Sequence, residues 1–248
     1  MKNWDDSLID LRDFNSEKTI EFLKSLDLNS MNDLEKIFYL PNHRRIHKWQ
    51  HYFEIYDRHF SKFRNKEITI VEIGVFEGGS LDMWNAYFGD KCTIIGIDID
   101  QECKKYEKDN IKIMIGSQDD INFLNEVKRK VPKIDILIDD GGHFSNQQIT
   151  TFEHLFSHIS ENGVYLCEDL HTSYMHGFNG GYKSSGTFIE YSKDLIDYLN
   201  AWYSQDVSFD VNYFTESAYS MHYYDSVLVI EKRKMKEPKS IISHYINE

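Results

Sequence analysis

An α/β fold with a doubly wound, mostly parallel sheet is predicted by three features of this 248-residue chain. From Ile68 onward, short apolar runs of strand length alternate with segments of helical periodicity. A glycine turn follows the first of these runs. Two later runs each end in a pair of acids, with a helix-length stretch between them.

Residues 1–65 carry helical spacing and no strand pattern, and form an N-terminal helical extension to a domain spanning 66–248. Ile20, Leu23 and Leu26, then Leu34, Ile37 and Phe38, recur at helical intervals, with Pro41 interrupting them. Trp49, Phe53, Tyr56 and Phe60 suggest a further helix packed on the core. Strands are predicted at residues 68–73, 93–98 and 111–115, with helices at 81–88 and around 123–130.

The first acid-tipped strand is Ile134-Asp135-Ile136-Leu137-Ile138-Asp139-Asp140, which enters Gly141-Gly142-His143. The second is Val164-Tyr165-Leu166-Cys167-Glu168-Asp169, which enters Leu170-His171-Thr172-Ser173-Tyr174. Between them Ser145 suits an N-cap, residues 147–159 suit a helix, and Glu161-Asn162-Gly163 suits a turn. Such a crossover predicts parallel, adjacent strands about 5 Å apart. Their carboxylates and His143 then gather at one end of the sheet, the end that carries ligands in open α/β sheets. A loop with Gly177, Gly180, Gly181 and Gly186 comes next, then a helix at 187–203 and two strands, the last at 226–231.

The net charge of −13 argues against nucleic acid as the partner, since a phosphate backbone calls for a basic face. The densest basic patch is His43-Arg44-Arg45 with His47-Lys48; a solvated surface is the default for such a run, and anion binding the alternative. Cys92, Cys103 and Cys167 show no metal-ligand spacing and fit a reducing compartment. Met1-Lys2-Asn3-Trp4-Asp5-Asp6 has no apolar signal region, and no apolar run reaches membrane-spanning length. A soluble cytoplasmic protein without a membrane partner is expected.

Glu72-Ile73-Gly74-Val75-Phe76-Glu77-Gly78-Gly79-Ser80 reads as strand, glycine turn and helix start. Its spacing departs from that of pyrophosphate-binding turns, and Glu72 would repel a diphosphate while suiting an amine-bearing ligand. Asp98 ends the next strand, where a carboxylate can accept hydrogen bonds from ribose hydroxyls. With Gly116-Ser117-Gln118 at the third strand end, the three turns make a nucleoside site. Contacts to the bound nucleoside are expected from Glu72, Gly74, Gly78, Ser80, Asp98, Ser117, Gln118 and Asp139.

These residues resemble a class I S-adenosylmethionine-dependent methyltransferase with a Rossmann-like sheet. More narrowly, the chain is similar to the metal-dependent macrolide sugar O-methyltransferases of the mycinamicin and macrocin type, with which the cephalosporin hydroxylase-type proteins are grouped. The likeness runs from Lys48-Trp49-Gln50-His51-Tyr52 to Ser226-Val227-Leu228-Val229-Ile230-Glu231. It implies a final antiparallel hairpin, S-adenosylmethionine at the glycine turn with Asp139 towards the donor's amino acid end, Mg2+ at the acidic strand ends, a sugar or nucleotide-sugar acceptor and a homo-oligomer. It places Asp140, Glu168 and Asp169 on the metal positions and His143 on the general base, with Asp140 also in the catalytic set. Gly142 stands where relatives usually have serine, and Ser117 where they have aspartate.

The chemistry calls for such residues. A sugar hydroxyl has a pKa of roughly 15 against about 6.5 for histidine, a gap on the order of 12 kcal/mol. A cation that stabilises the forming alkoxide narrows it. Oxygen ligands favour magnesium, with calcium or manganese as alternatives to it, over zinc. From the residues alone, the acids serve equally as strand-end caps, and His143 serves as well to begin the following helix. Thr172, Ser173, Tyr174, Tyr182, His222 and Tyr224 are expected to border the acceptor, with ordinary packing an equal reading for the aromatic ones. Two other functions stay open: methylation of a non-sugar small molecule, and a non-catalytic nucleoside-binding accessory protein.

Overall fold

The computed structural model describes residues 8–39 and 43–243. Three helices lead, α1 (Glu17–Ser25), α2 (Asp33–Tyr39) and α3 (Tyr52–Phe60), and a 3-10 turn at Ser61–Phe63 follows α3. Among the described residues no strand precedes β1 (Ile68–Ile73), as the periodicity predicts. Pro41 and residues 1–6 lie outside the described residues.

The alternation continues with α4 (Gly79–Phe88), β2 (Cys92–Asp98), β3 (Ile111–Ile115), α5 (Ile121–Lys130), β4 (Ile134–Asp139), α6 (Ser145–Leu155) and β5 (Ile159–Cys167). It ends with α7 (Phe188–Leu199), a short α8 (Tyr213–Ser217) and the hairpin β6 (Ala218–Tyr224) and β7 (Val227–Lys232). The sheet order is β3-β2-β1-β4-β5-β7-β6. Strands β1 to β5 pair in parallel, while β7 runs antiparallel to both β5 and β6. Strand order reverses between β1 and β4, so the carboxyl ends of these two strands open a crevice.

Both faces of the sheet are covered, which is why β4 is buried along its whole length, Asp135 and Asp139 included. On one face Leu34, Tyr52, Phe53 and Tyr56 pack with Trp84, Ile70, Ile94 and Ile138. On the other Leu124, Phe152, Phe188 and Leu195 pack with Val71, Leu137 and Tyr165. Each large side chain fully buried there contributes about 1.5–3 kcal/mol. The N-terminal helices therefore share a core with the sheet. No helix among the described residues is long and apolar enough to cross a membrane.

Two local expectations are corrected. Ser145 is the first residue of α6, whose N-cap is Phe144 with no side-chain cap. Glu161-Asn162-Gly163 is not a turn: after a 3-10 segment at Phe156–His158, Ile159 already pairs with Ile134 and β5 has begun. Burial of Ile159 draws the chain into the sheet early, and the register shift between Ile134 and Ile136 absorbs the extra residues. Thr187, by contrast, does cap α7, its side chain accepting from the Glu190 N–H.

Candidate active site

A cavity of about 560 Å³ lies at the carboxyl ends of the parallel strands. It is bordered by Gly74 and Phe76, by Asp98, Gly116, Ser117 and Gln118, and by Asp140, His143 and Asp169. Gly74 holds φ +96°, and a Cβ there would lie 1.9 Å from the Asp140 carbonyl oxygen, so β1 and β4 approach closely only because this residue is glycine. The cavity is of the size that takes a nucleoside-bearing cofactor.

The sequence-predicted cofactor residues divide into two groups. Gly74, Asp98, Ser117 and Gln118 line the cavity. Glu72, Gly78, Ser80 and Asp139 do not. Glu72 is fully buried and accepts from Ser80 Oγ at 2.7 Å and from Trp84 Nε1 at 3.0 Å, so both partners of this pair face α4 rather than a ligand. Burial pushes the Glu72 carboxyl up to about 7, against the pull of Lys48. Gly78, at φ +73°, is the left-handed N-cap of α4 beneath Tyr106. Asp139 is buried and accepts from Gln118 Nε2 at 2.9 Å, and burial raises its carboxyl to about 6. Its strand position turns Oδ1 towards Gln118, while Oδ2 is buried without a hydrogen-bond partner.

Asp98 is engaged as well as exposed to the cavity. Its Oδ2 accepts from the Val75 and Phe76 amides at 2.8 and 3.1 Å, which pins the glycine turn to β2. Ser117 donates to Asp119 at 2.5 Å, and Gln118 Oε1 accepts from the Gly142 N–H at 2.8 Å. That last bond holds the turn that leads into His143.

The acid pairs meet as the crossover predicts. Glu168 N–H donates to the Asp139 carbonyl at 2.9 Å, joining the two strand ends. Donor atoms of Asp140, His143 and Asp169 lie within 4.8 Å of one another. His143 Nε2 is 3.5 Å from Asp169 and 4.0 Å from Asp140, while its Nδ1 is buried without a hydrogen-bond partner. His143 and Asp169 both hold positive φ, at 60° and 55°. Strained backbone of this kind clusters at functional sites, and here it falls on two facing residues.

Glu168 stands apart from that cluster. Its Oε1 accepts from Tyr56 Oη at 2.6 Å and its Oε2 from Lys48 Nζ at 2.8 Å. Lys48 Nζ also donates to Asp140 Oδ2 at 2.5 Å, and its side chain is 3% exposed. Burial would pull the ammonium down, but Asp140 and Glu168 outweigh it and hold Lys48 above its usual value. Burial and the Asp140 charge push the Glu168 carboxyl well up, against Lys48. One ammonium cannot neutralise two carboxylates, so a proton on Glu168 is compatible with a charged Lys48–Asp140 pair.

Tyr52 and Tyr56 are functional candidates that sequence reasoning missed, and Lys48 is one it read as a basic-patch residue for an anion rather than as a partner of the acids. Tyr52 Oη donates to Asp169 at 2.7 Å, completing a support from α3 beneath both acids. The signal was present: two tyrosines four residues apart on an apolar helix face need partners for their hydroxyls. The basic patch is dispersed. Arg44 binds Asp82 and the Gly78 carbonyl, Arg45 reaches Glu77 at the cavity rim, and Lys48 alone of the three enters the acid cluster. His222 and Tyr224 pack on His59, away from the cavity, and Thr172, Ser173, Tyr174 and Tyr182 do not line it either.

The residues present fit a hard divalent cation. Asp140 and Asp169 turn carboxylate oxygens to the cavity beside His143, and a third acid lies directly behind.

No protein-family model matches the chain. It is 32% identical over 221 residues to the mycinamicin VI 2''-O-methyltransferase of Micromonospora griseorubida, covering 84% of this chain and 53% of that protein. It is 33% identical over 213 residues to the demethylmacrocin O-methyltransferase of Streptomyces fradiae, covering 82% and 53%. Its homologues are macrolide sugar O-methyltransferases. The chain spans about half the length of the curated relatives it matches. The MycE methyltransferase of the mycinamycin biosynthetic pathway, solved in complex with Mg and SAH, superposes with a TM-score of 0.73 at 31% identity, over 82% of this chain and 55% of that one. Its complex with Mg, SAH and mycinamycin VI gives 0.72 at 27% identity, over 90% and 63%. The fold is therefore the class I methyltransferase fold of these sugar O-methyltransferases, with the antiparallel β6–β7 hairpin at its edge.

Proposed function

We propose that this protein is an S-adenosylmethionine- and magnesium-dependent O-methyltransferase acting on a sugar hydroxyl. The acceptor is a nucleotide sugar or glycosylated small molecule, in natural-product or surface-polysaccharide biosynthesis. The observation that carries the reading is the convergence of Asp140, His143 and Asp169 beside a cavity that begins at the glycine turn. Residues 66–248 are the catalytic domain, and residues 1–65 form an extension supplying Lys48, Tyr52 and Tyr56 to it. The protein acts as a cytoplasmic homo-oligomer with no nucleic-acid or membrane partner.

Methyl transfer from a sulfonium is an in-line displacement, so the enzyme must align the acceptor and remove its proton. Gly74, Asp98, Ser117 and Gln118 border the donor's nucleoside. His143 Nε2, the nitrogen nearest the acids, accepts the hydroxyl proton, and Asp140 and Asp169 stabilise the imidazolium that results. Asp140, Asp169 and Glu168 would hold the cation, which supplies charge stabilisation to the forming alkoxide when bound. Glu168, held by Lys48 and Tyr56, would be the third of these carboxylate ligands.

The test is adenosylhomocysteine formation over a panel of deoxysugar glycosides and nucleotide sugars. EDTA abolishes turnover and magnesium restores it. His143→Ala lowers turnover by about 10²–10⁴ and leaves donor affinity, measured by calorimetry, unchanged. Full activity of His143→Ala refutes the base, and indifference to EDTA refutes the metal.

A further inference from the structure

We propose that His59, His222 and Glu231 form a second metal site, one for zinc, that ties α3 to the β6–β7 hairpin. One donor atom from each residue lies within 4.8 Å of the other two. His59 comes from the last turn of α3, His222 from β6 and Glu231 from β7, so the three donors join segments far apart in sequence. The methyl-transfer reading uses none of them.

The donor chemistry separates this cluster from the acids at the cavity. Two imidazoles and one carboxylate suit a borderline ion such as Zn2+, whereas Mg2+ prefers oxygen throughout. His59 is 3% exposed and burial keeps its imidazole below its usual range, which favours the neutral, ligating form. Burial alone would raise Glu231, but the His59 and Lys62 contacts more than offset it and keep the carboxylate charged.

Without metal, hydrogen bonds hold the donors in place. His59 Nδ1 lies 3.0 Å from Glu231 Oε1, and His59 Nε2 lies 2.9 Å from Tyr224 Oη. His222 Nε2 contacts Ser220 Oγ at 2.9 Å. Lys62 Nζ, 3.1 Å from Glu231 Oε1, is 46% exposed and can withdraw to solvent when a cation takes its place. Zinc ligands at about 2.0–2.2 Å stand roughly 3.4 Å apart in a tetrahedral site, a spacing that donor atoms within 4.8 Å of one another reach by side-chain rotation. Occupancy would brace α3, whose Tyr52 and Tyr56 lie about two turns and one turn back along the helix and hold Asp169 and Glu168.

The experiment is a zinc titration of the full chain against a chromophoric chelator, with magnesium saturating the acid cluster. The expected result is one zinc per chain at micromolar affinity or better, with thermal stabilisation on binding. His222→Ala and Glu231→Gln should each weaken zinc by at least about tenfold, while Asp169→Asn leaves it unchanged. The proposal is overturned if zinc does not bind at micromolar concentration or if neither substitution weakens it. Loss of the zinc in Asp169→Asn overturns it too, because the ion then sits at the cavity.

Discussion

Lys48 Nζ, 3% exposed, lies 2.5 Å from Asp140 and 2.8 Å from Glu168, so the three groups act as a unit. Unit charges about 4 Å apart interact by about 4 kcal/mol at an effective dielectric of 20, more than a solvated surface pair supplies. Removing one partner of such a buried group costs about 3–5 kcal/mol, because the remaining charges lose their compensation. Lys48→Met should lower the metal-free unfolding free energy by about that amount. Magnesium should then stabilise the variant more than the wild type, since the cation replaces the lost charge. Urea unfolding with and without magnesium checks both effects, and a variant as stable as the wild type would show that the ammonium offsets nothing. Lys48 was visible in the sequence only as part of a basic patch. Nothing in its neighbours distinguishes it from Arg44 and Arg45, which found partners of their own.

At the scale of elements, the site depends on a glycine turn and on one helix. Gly74→Ala puts a Cβ against the Asp140 carbonyl at a backbone angle that alanine rarely adopts. The variant should lose donor binding even if it folds, because β1 and β4 must part to admit the methyl group. Calorimetry with adenosylhomocysteine and circular dichroism separate loss of binding from loss of fold; wild-type affinity would refute the close-approach argument. Strands β1 and β3 match their sequence-read limits, because apolar runs between polar turns leave little freedom of register. The boundary between α6 and β5 was illegible, since Ile159 fits a helix face and a strand equally well. Its pairing with Ile134 decided the matter.

For the molecule as a whole, buried acids set a pH dependence. Glu72 has an ordinary value of 4.5 and is pushed up to about 7 in the fold by burial. Unfolding in this window releases its proton, so its contribution to stability is present below pH 4.5 and is lost as pH rises through about 7. Glu72→Gln should flatten the fall in stability between pH 5 and 8, as read by urea midpoints in metal-free buffer. An unaltered slope would assign the dependence to other groups. By itself the sequence determined the alternation of strands and helices, the parallel crossover between the two acid-tipped strands, and the end of the sheet where ligands bind. Each of these follows from patterns within a few residues, where backbone geometry couples neighbours directly. Only the tertiary structure decided which acids face the cavity, and that Lys48 reaches Asp140 and Glu168 across 92 and 120 residues of chain. Such contacts arise from where the packed core sets each helix, and no local periodicity encodes them.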